Sequence, residues 1–251
     1  MEMLRVHQLI KAYGNQVVYH ALNQVSFSIE AGEFVGVMGP SGSGKTTLLN
    51  MISTIDRPTA GEIRIKGRDP LLLKGEQLAL FRRRELGFVF QHFNLLDTLT
   101  IGENIVMPLT LDRVPLKEQE QKLLRVSRLL GIEHLLGKRT YEVSGGEAQR
   151  TAVARALIHE PALLLADEPT GNLDSKASRD VMELFQKVNK DRKVTTMMVT
   201  HDPLAASYCS RILFIKDGAI FSEIYKGGGR QPFYQQIIDV LALLGGVVHE
   251  F

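Results

Sequence analysis

The stretch Gly39-Pro40-Ser41-Gly42-Ser43-Gly44-Lys45-Thr46 decides how this chain is read. It fits the pattern G-x-x-x-x-G-K-[ST], and its flanks are those the pattern requires. Upstream, Glu33-Phe34-Val35-Gly36-Val37-Met38 predicts a short buried strand. Downstream, Thr47-Leu48-Leu49-Asn50-Met51-Ile52 predicts the opening of a helix. Strand, glycine loop and helix start together make a phosphate-binding loop. Glycines let the backbone wrap closely, so successive N–H groups point into one concavity. The helix N-terminus adds unpaired donors and partial positive charge. The binding candidates are therefore Gly39, Pro40, Ser41, Gly42, Ser43, Gly44, Lys45, Thr46 and Thr47, with Lys45 reaching the terminal phosphates and the Thr46 hydroxyl holding Mg²⁺. A glycine-rich turn matching by chance leaves both flanks unexplained. The expected ligand is a nucleoside triphosphate.

Working outward, 251 residues suit one large domain, or one domain with an inserted subdomain. A hydrophobic fraction of 44% with 23% charged residues belongs to an ordinary globular chain. A net charge of +2 is too small to make nucleic acid or an anionic surface the main partner, so no nucleic acid is expected. The single cysteine, Cys209, excludes an intramolecular disulfide and fits a reducing compartment. It reads as a small buried residue, because nothing nearby would lower its pKa. No apolar run reaches the roughly 18 to 20 residues that span a bilayer. The start, Met1-Glu2-Met3-Leu4-Arg5, lacks an apolar signal core. A cytoplasmic location follows as an expectation, with any link to a membrane made through a partner.

Residues 4–10 and 22–30 predict strands, joined by the polar stretch 14–16. Tyr13 ends the first; it either packs in the strand or stacks on a base beside the phosphate loop. Residues 61–68 alternate between glycines and predict another half-exposed strand. Residues 78–84 predict a short helix ending in Arg82-Arg83-Arg84, read as a solvated helix end that complements its dipole rather than as a nucleic-acid contact. Leu86-Gly87-Phe88-Val89-Phe90 predicts a buried strand delivering Gln91. From about 92 to 160 the texture becomes amphipathic helix, with Leu123, Val126, Leu129 and Leu130 at helical spacing. Ser144-Gly145-Gly146 opens a helix over 151–157, either as an anion site or as a plain N-cap.

Ala162-Leu163-Leu164-Leu165-Ala166 predicts an apolar strand tipped by Asp167-Glu168, two adjacent acids that are costly to place there without a ligand. The first acid is expected to hold Mg²⁺ and the second to orient a water. Gly171-Asn172-Leu173-Asp174 predicts a tight loop, followed by a helix over 175–189. Residues 194–199 predict a strand tipped by Thr200-His201-Asp202. Alternating strands and helices with functional groups at strand tips predict a doubly wound α/β sheet, mainly parallel, with the site at the carboxyl ends. At the tail, 227–229 predicts a flexible break and Pro232 a helix start. Phe233, Ile237, Leu241 and Leu244 then form one apolar stripe, ended by Gly245-Gly246. That stripe packs either on its own subunit or against a partner.

These residues, in this order, resemble the ATP-binding subunit of ABC transporters over essentially the whole chain, 1–251. The resemblance implies a phosphate-loop core, an antiparallel β subdomain and an inserted helical subdomain at about 92–160. It implies ATP and Mg²⁺ as cofactors, with Thr46, Gln91 and Asp167 at the metal and Tyr13 at the base. It also implies a head-to-tail dimer in which Ser144, Gly145 and Gly146 of one subunit cap the γ-phosphate bound to the other. Glu168 would position or deprotonate the attacking water, His201 would hold the γ-phosphate, and Lys45 and Gln91 would complete the catalytic set. Gln91 would further link the site to the region touching an integral membrane permease, which places the chain peripherally on the cytoplasmic face.

One departure is Glu147, where the family usually has Gln; repulsion between two anions puts a direct γ-phosphate contact from that side chain in doubt. The stretches 90–96 and 167–174 are similar to the group that releases lipoproteins, exports macrolides or acts in cell division. The stretches 95–100, 200–209, 214–218 and 244–250 are similar to the bacitracin-type peptide-resistance transporters. Soluble ABC ATPases of DNA repair or translation need long coiled-coil insertions or two ATPase units, and a small-molecule kinase leaves Ser144-Gly145-Gly146 and His201 unexplained.

Overall fold

The computed structural model describes residues 1–14 and 18–245. Of the expected polar connection at 14–16 it describes only Gly14. Gly246 and the rest of the resemblance at 244–250 lie outside the described residues.

Two sheets organise the chain. Strands β1 (Glu2–Tyr13), β2 (Tyr19–Glu30) and β4 (Ala60–Ile65) form an antiparallel sheet in the order β2-β1-β4. Strands β3 (Phe34–Met38), β5 (Leu86–Val89), β6 (Leu163–Asp167), β7 (Thr195–Val199), β8 (Arg211–Lys216) and β9 (Ala219–Tyr225) form the second sheet, ordered β5-β6-β7-β3-β8-β9. Its first five strands are parallel, and β9 closes the edge antiparallel to β8. The expected α/β class with a mainly parallel sheet and a separate antiparallel one is therefore found.

The parallel strands are short and mostly apolar because both faces of their sheet are covered. Side chains alternate across a strand. In β3, Phe34 and Met38 join one core while Val35 and Val37 join the other; in β6, Leu164 and Ala166 part from Leu163 and Leu165 in the same way. Helix α1 (Lys45–Ile52) fills the second core with Leu48, Leu49, Met51 and Ile52, against the antiparallel sheet. Helices α3 (Ile101–Leu111), α4 (Leu116–Leu129), α5 (Gly145–Leu157) and α6 (Ser175–Arg192) supply the first core.

Several boundaries differ from the sequence reading. The strand expected over 61–68 stops at Ile65, because Lys66 and Gly67 take left-handed φ values of 51° and 74° and turn the chain onto Arg68. Helix α2 begins at Gly75 rather than 78 and runs to Glu85. Its three arginines stand in the last turn, as expected of a dipole-complementing end, with Arg82 and Arg84 exposed, but each is also tethered. Arg82 donates to Thr54 O, Arg83 to Leu111 O, and Arg84 to Asp112 Oδ2 at 2.6 Å, bracing α2 against the ends of α1 and α3. Helix α7 (Pro203–Ala206) is a single turn capped by Asp202. Helix α8 (Arg230–Leu244) begins two residues before Pro232, which the first turn tolerates because an N–H at that position would have no partner within the helix. Phe233, Ile237 and Leu244 are buried in the chain's own core and Leu241 packs against it, so the tail stripe is covered by its own subunit. Cys209 is buried, and burial pushes its thiol up.

Candidate functional site at the carboxyl ends of the parallel strands

The loop leaving β3 is shaped by glycines that no other residue could replace. A Cβ at Gly39 would lie 2.1 Å from Ile215 O, and one at Gly44 would lie 2.3 Å from Ala21 O. Both also carry positive φ, 154° and 102°. The turn is closed by Ser43 N–H on Pro40 O at 3.3 Å and by Gly218 N–H on Ser43 O at 3.1 Å. Tyr19 adds a hydroxyl bond to Gly42 O at 3.1 Å. Gly44 ends the loop and α1 begins at Lys45 with no side chain capping it, so its first N–H groups face the loop. Lys45 Nζ donates to Gly39 O at 2.9 Å and Pro40 O at 2.8 Å, which leaves the third ammonium proton for a ligand. Thr46 is exposed beside it and Thr47 half-buried.

Two acids face this lysine from the tip of β6. Burial, and then the Glu168 charge, push Asp167 above the usual carboxylate range, and Lys45 partly opposes this. Burial likewise lowers Lys45, against the pull of Glu168 and Asp167. Asp167 Oδ1 is buried with no hydrogen-bond partner, which suits a hard-cation ligand. Among the described residues no cluster of three or more His, Cys, Asp or Glu side chains forms a metal cage. Asp167 and the Thr46 hydroxyl thus fit a Mg²⁺ ion that takes its other ligands from phosphate and water.

Glu168 sits at φ 45°, a left-handed conformation that costs roughly 1–3 kcal/mol and clusters at functional sites. Its N–H bonds Val199 O, tying the tip of β6 to that of β7. Its Oε1 lies 2.9 Å from His201 Nδ1, and Oε2 accepts from Thr200 Oγ1 and His201 N, both at 3.4 Å. The carboxylate is 16% exposed and the imidazole 71%, so the histidine reaches outward from a sheltered acid. With Nδ1 turned to the carboxylate, Nε2 is the nitrogen left for a ligand.

Gln91 follows β5, but its side chain lies against Gly171 and donates to Asn172 Oδ1 at 3.5 Å. Asn172 Nδ2 returns bonds to Gln91 O at 3.1 Å and His92 Nδ1 at 2.8 Å. Among the described residues no hydrogen bond joins Gln91 to Thr46 or Asp167. Ser144 is the N-cap of α5, and Gly145 and Gly146 pack beside Leu173 and Ala177. No hydrogen bond joins these three residues to the phosphate loop among the described residues. Tyr13 is 43% exposed, with its hydroxyl on Asp56 Oδ2 at 2.9 Å and Lys11 Nζ 4.7 Å from the ring centroid. The tether fixes the ring without burying it.

Sequence reasoning missed several supports. Tyr19 anchors the loop, and Lys11 and Asp56 hold Tyr13. Gln149, fully buried, donates to Pro169 O at 2.6 Å behind Glu168. Arg155 grips Asn94 O at 2.5 Å and Phe93 O at 2.8 Å, two residues with positive φ. A buried polar residue in a small-residue helix was the only sequence signal for the last two. Beside Arg155 an apolar groove of about 310 Å³ is lined by Phe88, Phe90, Met107, Pro108 and Leu111. A larger pocket of about 480 Å³ lies at the opposite, amino ends of the strands and takes no part in this site.

A glycine loop opening a helix, a lysine turned to it and an acid pair at the tip of β6, one strand removed from β3, define a phosphate-loop nucleoside triphosphatase. The ABC transporter family model matches residues 22–171, and the chain belongs to that family as an ABC-type ATPase, an ATP-binding subunit. It is 64% identical, over 97% of its length and 95% of the relative's, to the ABC transporter ATP-binding protein YxdL of Bacillus subtilis. It is 46% identical to the bacitracin export ATP-binding protein BceA of Halalkalibacterium halodurans, over all of both chains. Among solved structures, the dimeric post-hydrolysis state of the ATP-binding cassette MJ0796 of Methanocaldococcus jannaschii, bound to ADP and Pi, superposes with a TM-score of 0.81. That match is 38% identical and covers 90% of this chain and 100% of the other. No helix among the described residues is long and apolar enough to cross a membrane.

Proposed function

We propose that this chain powers a membrane permease acting in resistance to, or sensing of, bacitracin-like antimicrobial peptides. The carrying observation is end-to-end similarity, at 46% identity, to a bacitracin export ATP-binding protein. In this reading residues 1–251 form one ATPase domain with a helical arm at about 92–160, and the chain lies peripherally on the cytoplasmic face of the membrane. The groove beside Arg155, lined by Phe88, Phe90, Met107 and Leu111, is the proposed seat of the permease.

Residues 39–47 wrap the phosphates with backbone N–H groups, and Lys45 meets the terminal ones. Tyr13 offers a ring face to the adenine. Thr46 and Asp167, with Gln91 approaching from its place on Asn172, would hold Mg²⁺, which would supply positive charge to offset that of the phosphates. Glu168 accepts a proton from the water whose oxygen attacks the γ-phosphorus, and the bond to ADP breaks as that bond forms. His201 places Nε2 toward the γ-phosphate. Little covalent chemistry is required, so positioning and charge carry the rate.

Ser144, Gly145 and Gly146 act on the nucleotide of a second copy in a head-to-tail dimer. Their separation from their own phosphate loop supports this, as do the dimeric structures of the 38% identical MJ0796. A second reading, macrolide-type export or lipoprotein extraction, is favoured by 42% identity to a MacB protein over 89% of this chain. Deleting the gene and measuring growth inhibition separates the two. The peptide-resistance reading expects sensitivity to bacitracin-like peptides, restored by the parent chain and not by Glu168→Gln. Unchanged peptide susceptibility alongside altered macrolide susceptibility overturns it.

A further inference from the structure

Ser144, assigned above to a phosphate, already donates to an anion of the chain itself. Glu147 Oε2 accepts from the Ser144 N–H at 2.8 Å and from the Ser144 hydroxyl at 2.9 Å. The Glu147 N–H returns a bond to Ser144 Oγ at 3.3 Å. This is a capping box, and it places a full negative charge on the first turn of α5. The Ser144 bonds, helped by Arg150 and Lys138, hold the carboxyl below its ordinary range, so it is ionised at neutral pH.

A serine hydroxyl has one proton to donate. It goes either to Glu147 or to a phosphate oxygen, and a phosphate reaching Ser144 must also approach the Glu147 charge. We propose that Glu147 is a positioning residue that sets how much ATP is needed to close the dimer, by competing with the partner's γ-phosphate for the Ser144 hydroxyl and repelling that phosphate. This rests on the reading that Ser144, Gly145 and Gly146 act in trans. Gln at this position keeps the capping geometry, since the box accepts either side chain, and removes only the charge. Two anions sharing one hydroxyl lie within roughly 6 Å, where screened repulsion near a surface amounts to about a tenfold change in affinity. ADP has no γ-phosphate and escapes the effect.

The test is ATP-dependent dimerisation, followed by light scattering in the Glu168→Gln background, with ADP affinity and melting temperature measured alongside. Glu147→Gln is expected to reach half-dimerisation at about tenfold lower ATP with ADP affinity unchanged, and to melt only slightly lower, by the contribution of the lost charge to the first turn of α5. Glu147→Ala, which loses the cap as well, should melt lower yet show the same shift in ATP; a structural role would lower stability without that shift. An unchanged or increased ATP requirement in Glu147→Gln, while Ser144→Ala no longer dimerises, overturns the role of Glu147 alone. Normal dimerisation by Ser144→Ala overturns the trans reading, and the inference with it.

Discussion

Replacing Glu168 by Gln isolates one proton transfer. The side chain is sheltered at 16% exposure, and its neighbours need only an acceptor, since His201 Nδ1, Thr200 Oγ1 and the His201 N–H all turn toward its oxygens. Gln keeps one such oxygen for Thr200 Oγ1 and the His201 N–H, and its NH2 can donate to His201 Nδ1 when the ring carries its proton on Nε2. The left-handed backbone at residue 168 is equally strained in both, so the substitution adds no new backbone cost. Lys45 loses one of the two carboxylates that oppose its desolvation, but keeps its bonds to Gly39 O and Pro40 O. Nucleotide binding should therefore survive. What disappears is the ability to take a proton from water, and a lost general base costs roughly two to four orders of magnitude in rate. Steady-state phosphate release gives the rate, and size-exclusion chromatography with ATP should show a trapped dimer. Undiminished turnover in the purified variant would refute Glu168 as the base and leave its strained conformation without a catalytic reason.

The remaining predictions concern Ser144, the tail and His159. Ser144→Ala should lower stability by about 1 kcal/mol, the value of a cap, yet abolish turnover. Mixed dimers pairing Ser144→Ala on one chain with Lys45→Ala on the other should retain one working site, and total inactivity of those mixtures would count against sharing. Phe233→Ala should cost about 3–5 kcal/mol, and removal of 230–251 should leave an aggregating or low-melting chain, because Phe233 and Ile237 are 1% and 0% exposed in the chain's own core. A truncated chain that melts like the parent would contradict that packing. Burial holds His159 below its ordinary pKa, only partly offset by its bond to Leu86 O, so the unfolded chain takes up the proton first. Its contribution to stability is then constant above about pH 6.5 and declines as pH falls below it. His159→Gln should flatten the fall in melting temperature between about pH 7 and 5.5, and an unchanged slope would refute the assignment.

The sequence by itself determined the class and named most of the candidate site, because the phosphate loop, Asp167-Glu168 and His201 are local signals. Each sits within a few residues of the strand that carries it, and strand, turn and helix start are written in neighbouring side chains. It also determined the tail stripe, whose helical period is a property of 233–244 alone. Tertiary structure decided what depends on residues far apart. The three arginines of α2 end their helix as the sequence announced, but that Thr54, Leu111 and Asp112 tether them follows only from the packing. Tyr19 and Asp56 carry no motif, and only the pairing of β1 with β2 and the packing of α1 set them beside Gly42 and Tyr13. Whether the tail stripe faced its own core or a partner was likewise settled by packing, since periodicity states that a face must be covered and not what covers it. Glu147 shows the division within one residue. In the sequence it stood out only as an acid where the family usually has Gln; that its carboxylate closes a capping box, holding the Ser144 hydroxyl as well as the backbone N–H, is visible only in the folded turn.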